Sequence, residues 1–114
     1  MIITEGKEGG TIEDQQLYIS VLRGDWIDSK YLLTRGADPN FYYHDRITPL
    51  HIAVENNDEN LVDILLNHKA ILPDFQNIYG KTPLMISIER RNNRASYFIL
   101  INWLTKSFHF YKIY

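Results

Sequence analysis

A chain of 114 residues, 45% apolar and 23% charged, is long enough for one domain and too apolar for a disordered segment. It contains no cysteine, which excludes disulfide frameworks, thiolate metal sites and cysteine nucleophiles and fits an intracellular protein. A formal net charge of −2 offers nucleic acid no electrostatic footprint, so that partner class is not expected.

The start, Met1 to Gly10, lacks the apolar run of a secretory signal and is rich in glycine, so 1–10 reads as a flexible tail. Thr11-Ile12-Glu13-Asp14 then reads as a capped helix start with acidic residues in the first turn. The apolar set of this helix is Leu17, Ile19, Val21 and Leu22, and Gly24 ends it. Asp25 caps a second helix, whose inward positions are Trp26 or Ile27, then Tyr31, Leu32 and Leu33; Gly36 closes it in the usual post-helix position. Ala37-Asp38-Pro39-Asn40 is a turn cluster. From Phe41 to Ile47 aromatic and charged residues follow without helical period, as in an extended hairpin-like loop.

A third helix is expected from Thr48 to about Asn56 and a fourth from Asp58 to about Asn67. The fourth has a wide apolar face, Leu61, Val62, Ile64, Leu65 and Leu66, opposed by Glu59, Asp63 and Asn67. After a second loop, Lys69 to Lys81, come a fifth helix, Thr82 to about Arg90, and a last one capped by Asn92 or Asn93 and running through Ile101. Beyond Asn102 the helical pattern is lost, and 105–114 reads as an aromatic tail. The most apolar window, Tyr97 to Leu104, is far shorter than the roughly 20 residues a membrane-spanning helix needs, so no membrane partner is expected.

Thr48-Pro49-Leu50-His51-Ile52-Ala53 has a second copy, Thr82-Pro83-Leu84-Met85-Ile86-Ser87, which begins 34 residues later, at 82 against 48. Thr before Pro is a helix-start signal: the hydroxyl accepts a hydrogen bond from a free first-turn amide, and Pro needs no amide there. One helix start recurring at this period marks a stacked array, in which each unit exposes an apolar face that its neighbour covers.

These residues resemble ankyrin repeats, whose hallmark is a Thr-Pro-Leu-His-x-Ala start, a Val-x-x-Leu-Leu second helix and a Gly-Ala-Asp-x-Asn exit. The middle unit carries Thr48 to Ala53, Leu61-Val62, Leu65-Leu66 and Ala70, with Lys69 where the exit Gly is expected. The first unit has Gln15-Gln16 in place of the Thr-Pro start and keeps Gly24-Asp25, Leu32-Leu33 and Gly36 to Asn40, as a capping repeat would. The third has Asn77 to Leu84 and loses the exit where Trp103-Leu104 sit. The resemblance spans about Glu13 to Asn102. It implies an all-α solenoid of stacked antiparallel helix pairs with projecting hairpin loops, in units of about 11–40, 41–73 and 74–104.

It also implies a non-catalytic, cytoplasmic protein-binding module without a cofactor. Partners of the family are met by the hairpin tips and the outer edge of each first helix. Carried onto this chain, those positions are Leu22 and Arg23 in the first unit, His44, Asp45, Ile47, Glu55 and Asn56 in the middle one, and Ile78, Tyr79, Lys81, Glu89 and Arg90 in the third. Loop aromatics are good binding anchors on a rigid scaffold, and of Phe41, Tyr42, Tyr43, Phe75 and Tyr79 we expect Tyr42 and Tyr79 to be exposed and Phe41 and Phe75 to pack at the hairpin base. The enrichment in Ile, Asn and Tyr is similar to that of poxvirus ankyrin-repeat proteins, many of which engage host factors; that resemblance implies the host cytoplasm. The alternative reading is a truncated remnant or accessory fragment of a longer, viral host-interaction protein of this kind.

The resemblance assigns His51 a hydrogen bond between units, while His44, His68 and His109 show no metal-ligand spacing. No nucleophile-base pair or phosphate loop is present, so no enzyme is expected. Glu55, Asp58, Glu59 and Asp63 form an acidic patch, answered by a basic one of Arg90, Arg91 and Arg94. Arg46 stands where the family has a hairpin Gly, and Tyr43 replaces the Asp that ties the turn, so the first loop is expected to be distorted or mobile. The apolar end, with Trp103, Leu104, Phe108, Phe110 and Tyr111, is expected to fold back over the stack or to self-associate.

Overall fold

A computed structural model of the protein describes residues 10–108. Residues 1–9 of the expected N-terminal tail, and His109, Phe110 and Tyr111 of the expected C-terminal one, lie outside the described residues. Gly10 belongs to the fold: its carbonyl accepts from the Gln15 amide at 3.2 Å, and a Cβ there would collide with the Phe41 ring.

Among the described residues there are six helices and no strand: α1 Ile12–Leu22, α2 Trp26–Thr34, α3 Pro49–Glu55, α4 Glu59–Leu66, α5 Pro83–Glu89 and α6 Asn93–Phe108. They pair as α1/α2, α3/α4 and α5/α6. The first members stack as one layer, α1 on α3 on α5, and the second members as another, α2 on α4 on α6.

The first five helices start where a side chain can satisfy a free amide. Thr11 and Asp14 form a reciprocal capping box at 3.0 and 2.9 Å. Asp25 and Asp58 cap α2 and α4, and Thr48 and Thr82 cap α3 and α5 with Pro next in line. Such a cap contributes about 1 kcal/mol. The turn inside each pair is built three times in the same way. Gly24, Asn57 and Arg91 take φ of 74°, 54° and 58°, and the following amide reaches back to the helix: Asp25 to Ser20 at 2.9 Å, Asp58 to Ala53 at 2.9 Å and Asn92 to Ser87 at 2.8 Å.

The core runs through the middle of the stack. Leu17, Val21, Leu50, Val54, Leu61, Val62 and Leu65 are all at most 1% exposed. Within the outer pairs two hydroxyls meet, Ser20 with Ser29 at 2.6 Å, both buried, and Ser87 with the half-buried Ser96 at 2.7 Å; the middle pair has Ala53 and Val62 at these positions.

The inward face of α2 corrects the sequence reading, and α1 buries only part of its apolar set. Ile19, Leu22, Trp26, Ile27 and Tyr31 are exposed, and Tyr18 is buried with its hydroxyl donating to the Ile47 carbonyl at 2.8 Å. Both helices are apolar on several sides, and only the sides touching each other and α3 or α4 find cover. Nor does the last helix stop at Asn102. No Gly or Pro interrupts the chain there, and α6 continues for 16 residues against 9 for α2 and 8 for α4. The Asn102 amide donates across to the Leu66 carbonyl at 2.9 Å. Trp103 and Leu104 therefore extend a helix in place of folding back.

Candidate partner-binding face

Two hairpin loops project from the first-layer helices, and they differ because residue 43 differs from its counterpart, Asn77. In the second loop the Asn77 side-chain oxygen accepts from the Tyr79 and Lys81 amides at 2.9 and 3.0 Å, and Gly80 alone takes a positive φ, 74°. Tyr43 cannot accept in this way. The first loop closes instead as a two-residue mirror-image turn: Asp45 and Arg46 take φ of 58° and 55°, and the Ile47 amide donates to the His44 carbonyl at 3.2 Å. The distortion expected of this loop is present, and it comes with a tether. Arg46 Nε donates to the Gln76 carbonyl at 3.0 Å, its guanidinium lies 4.1 Å from the Phe75 ring centroid, and the Asp45 carbonyl accepts from the Ile78 amide at 3.0 Å.

Of the loop aromatics, Phe41 is fully buried, edge-on to Tyr18 and Tyr43 at 6.2 and 5.1 Å. Tyr42 is not the free anchor expected; it is half-buried beside Phe75, 5.8 Å between centroids, with Arg46 over both rings. Tyr79 is 67% exposed at the tip of the second loop.

Between the loops and the first-layer helices lies a shallow groove of about 330 Å³. Four expected residues line it, Leu22, Ile47, Glu55 and Asn56, and they meet there with Ile52, Ile86, Asn77 and the edge of His51. Ile52 and Ile86 form a floor that helical period alone would have left in the core; Asn77 could have been found from its position 34 residues after Tyr43. Arg90 reaches from the next unit to pair with Glu55, and Lys81 pairs with Glu89 at 2.8 Å. Arg23 turns away to Asp28 at 3.9 Å, and His44 faces Asp45 at 3.4 Å; neither lines the groove.

The separate acidic and basic patches expected from sequence are largely joined instead. Besides Glu55 with Arg90, Glu59 pairs with Arg94 at 3.1 Å, and Asp58 is occupied as a cap. His51 ties two units together. Its Nδ1 accepts from the Thr48 amide at 3.1 Å, which leaves Nε2–H to donate to the Lys81 carbonyl at 3.0 Å. Burial lowers its pKa below the ordinary 6.5, against the opposing pull of that carbonyl. Among the described residues no group of His, Asp or Glu is placed to hold a metal ion, and no helix is long and apolar enough to cross a membrane.

The profile described as ankyrin repeats in three copies matches residues 17–106, from the middle of α1 to near the end of α6, with both hairpins inside. The chain belongs to the ankyrin-repeat family. Similar proteins include the human transient receptor potential cation channel subfamily A member 1, 31% identical over 74% of this chain and 8% of its own length. An ankyrin repeat protein of fowlpox virus is 32% identical over 79% of this chain and 27% of its own. The Drosophila ARF GTPase-activating protein Git is 32% identical over 69% and 10%. This ankyrin array thus spans a tenth to a quarter, roughly, of the relatives it matches.

Proposed function

We propose that this ankyrin array is a non-catalytic module that binds a protein partner along the face formed by its hairpin tips and first-layer helices. The observation that carries the reading is the groove, where Leu22, Ile47, Glu55 and Asn56 meet over the Ile52 and Ile86 floor, beside a second hairpin that exposes Ile78 and Tyr79. An apolar floor with a polar rim, on a face that also exposes a large aromatic, is how a protein-binding surface concentrates its affinity. We place the protein in the cytoplasm, with neither nucleic acid nor membrane as partner. A second reading, an accessory fragment of a longer viral host-interaction protein, is favoured by the fowlpox relative, of which this chain covers 27%.

The test is capture of a cytosolic partner by the wild-type chain and by the double variant Tyr79→Ala with Arg90→Ala. Both side chains are exposed, and an exposed ion pair such as Arg90 with Glu55 contributes at most about 1 kcal/mol. The variant is expected to lose capture while melting within a few degrees of the wild type. Retained capture with a strongly lowered melting temperature would reverse the assignment of core and surface.

A further inference from the structure

The two hairpins meet one backbone demand with different residues, and the difference leaves a side chain to be explained. In the second hairpin the left-handed position is filled by Gly80, which adopts it without strain. The equivalent place in the first, 46 against 80, is filled by Arg46, with Asp45 also left-handed beside it. Both central residues of this mirror-image turn therefore carry a Cβ where Asn-Gly is the relaxed choice. Glycine would serve the turn better. The arginine side chain is used elsewhere: Nε donates to the Gln76 carbonyl at 3.0 Å, and the guanidinium lies 4.1 Å from the Phe75 ring centroid against 6.0 Å from that of Tyr42 in its own loop.

The second hairpin is closed on itself by Asn77, but bonds internal to a loop do not orient it. At its base Lys81 is held by His51 and Glu89. Nearer the tip the Ile78 amide donates to the Asp45 carbonyl at 3.0 Å, and Arg46 grips Gln76 and Phe75 just before it. These contacts near the tip come from the two left-handed residues of the first hairpin.

We propose that Arg46 is a latch between the hairpins, a positioning residue whose side chain fixes 76–79 of the second while straining the turn of the first. Arginine suits the task because its Nε–H lies in the plane of the guanidinium, so one group stacks on a ring and donates to a carbonyl at the same time. The latch sets how Ile78 and Tyr79, 55% and 67% exposed, stand relative to the groove; that they touch a partner there rests on the reading above. Removing the side chain has two opposite effects, relaxing the first turn and freeing the second hairpin. A residue that served only its own turn would show the first effect alone.

Amide hydrogen exchange of the full chain, followed residue by residue by NMR, tests the latch. Arg46→Gly is expected to speed exchange at Ile78 by at least about tenfold, while the Leu61 and Leu65 amides of α4, which report global unfolding, exchange no faster than in the wild type. Phe75→Leu is expected to speed exchange at Ile78 in the wild type and to add nothing in Arg46→Gly, since the ring acts through the guanidinium. Ile78 protection that survives Arg46→Gly overturns the proposal. So does acceleration of Leu61 and Leu65 by the same factor as Ile78, which would make Arg46 a residue of global stability, and so does a Phe75→Leu effect that persists undiminished without Arg46. No partner enters the measurement, so failure of the partner-binding reading leaves its outcome unchanged.

Discussion

His51 and Tyr18 are two side chains through which the fold responds to pH, one at each end of the scale. Burial disfavours the charged ring and holds the His51 pKa down, and protonation would also turn Nδ1 from acceptor to donor while the Thr48 amide still points at it. The unfolded chain takes the proton first, so the stability this ring contributes is full above about pH 6.5 and is lost as pH falls through the lower folded value. The urea midpoint should therefore drop further between pH 7 and pH 5 in the wild type than in His51→Met, the residue type the third unit carries as Met85. Equal acid losses in the two chains would mean the ring accepts a proton without breaking its pairing. At pH 7 the substitution is expected to cost about 1–3 kcal/mol, because a buried amide and a carbonyl lose their partner.

Tyr18 acts at the other end of the scale. Burial first, and then Tyr43 and Asp45, push its pKa up to about 12. Its contribution is full below about pH 10, the ordinary tyrosine value, and is lost as pH rises through 12. Tyr18→Phe should cost about 1 kcal/mol at neutral pH, the bond to the Ile47 carbonyl, and flatten the alkaline decline seen by the same urea titration. A decline that remains as steep in the variant would assign it to other groups.

At the scale of the helix, what local chemistry dictates was readable and what neighbours dictate was not. Thr48, Thr82 and Asp58 announce helix starts because hydroxyl and carboxylate caps act within one turn, and all three cap as expected. The face of α1 or α2 that goes inward depends on α3 and α4, and with Ile12, Ile19, Trp26, Ile27 and Tyr31 spread around the pair, period alone cannot choose it. Beyond Asn102 the apolar period is lost in the sequence, yet α6 runs on, and the Asn102 amide serves a carbonyl 36 residues away. Half of the groove was legible for the same reason, since Leu22, Ile47, Glu55 and Asn56 occupy repeat positions, whereas the cross-unit pairing of Glu55 with Arg90 exists only once the units stack.

The repeated turn gives a direct test at this scale. Gly24 adopts a left-handed conformation without penalty, but Arg91 carries a side chain at the equivalent place and makes no ion pair among the described residues. A non-glycine residue there costs about 1 kcal/mol, so Arg91→Gly should raise the unfolding free energy by about 0.5–1 kcal/mol. A lowered value would mean that Arg91 holds the turn through its side chain.

Across the whole molecule, stability follows from which units are covered on both sides. The middle pair is enclosed: Leu50 and Val54 of α3 and Leu61 and Leu65 of α4 are at most 1% exposed, whereas Ile88, in register with Val54, is 61% exposed. Leu65→Ala should cost about 2–5 kcal/mol, as cavities in closed cores do, and Leu104→Ala under about 1 kcal/mol. Equilibrium unfolding of both variants checks the contrast, and similar costs would show that the third unit is as tightly enclosed as the second.

The tether between the two hairpins bears on how such a molecule meets another. Arg46 spans from one loop to the Gln76 carbonyl and the Phe75 ring of the next, and Asp45 holds the Ile78 amide, so the protruding arms are buttressed as a single plate. A visitor touching the Tyr79 tip has little floppiness to suppress, and association there should be quick and insensitive to the lag that loop ordering imposes.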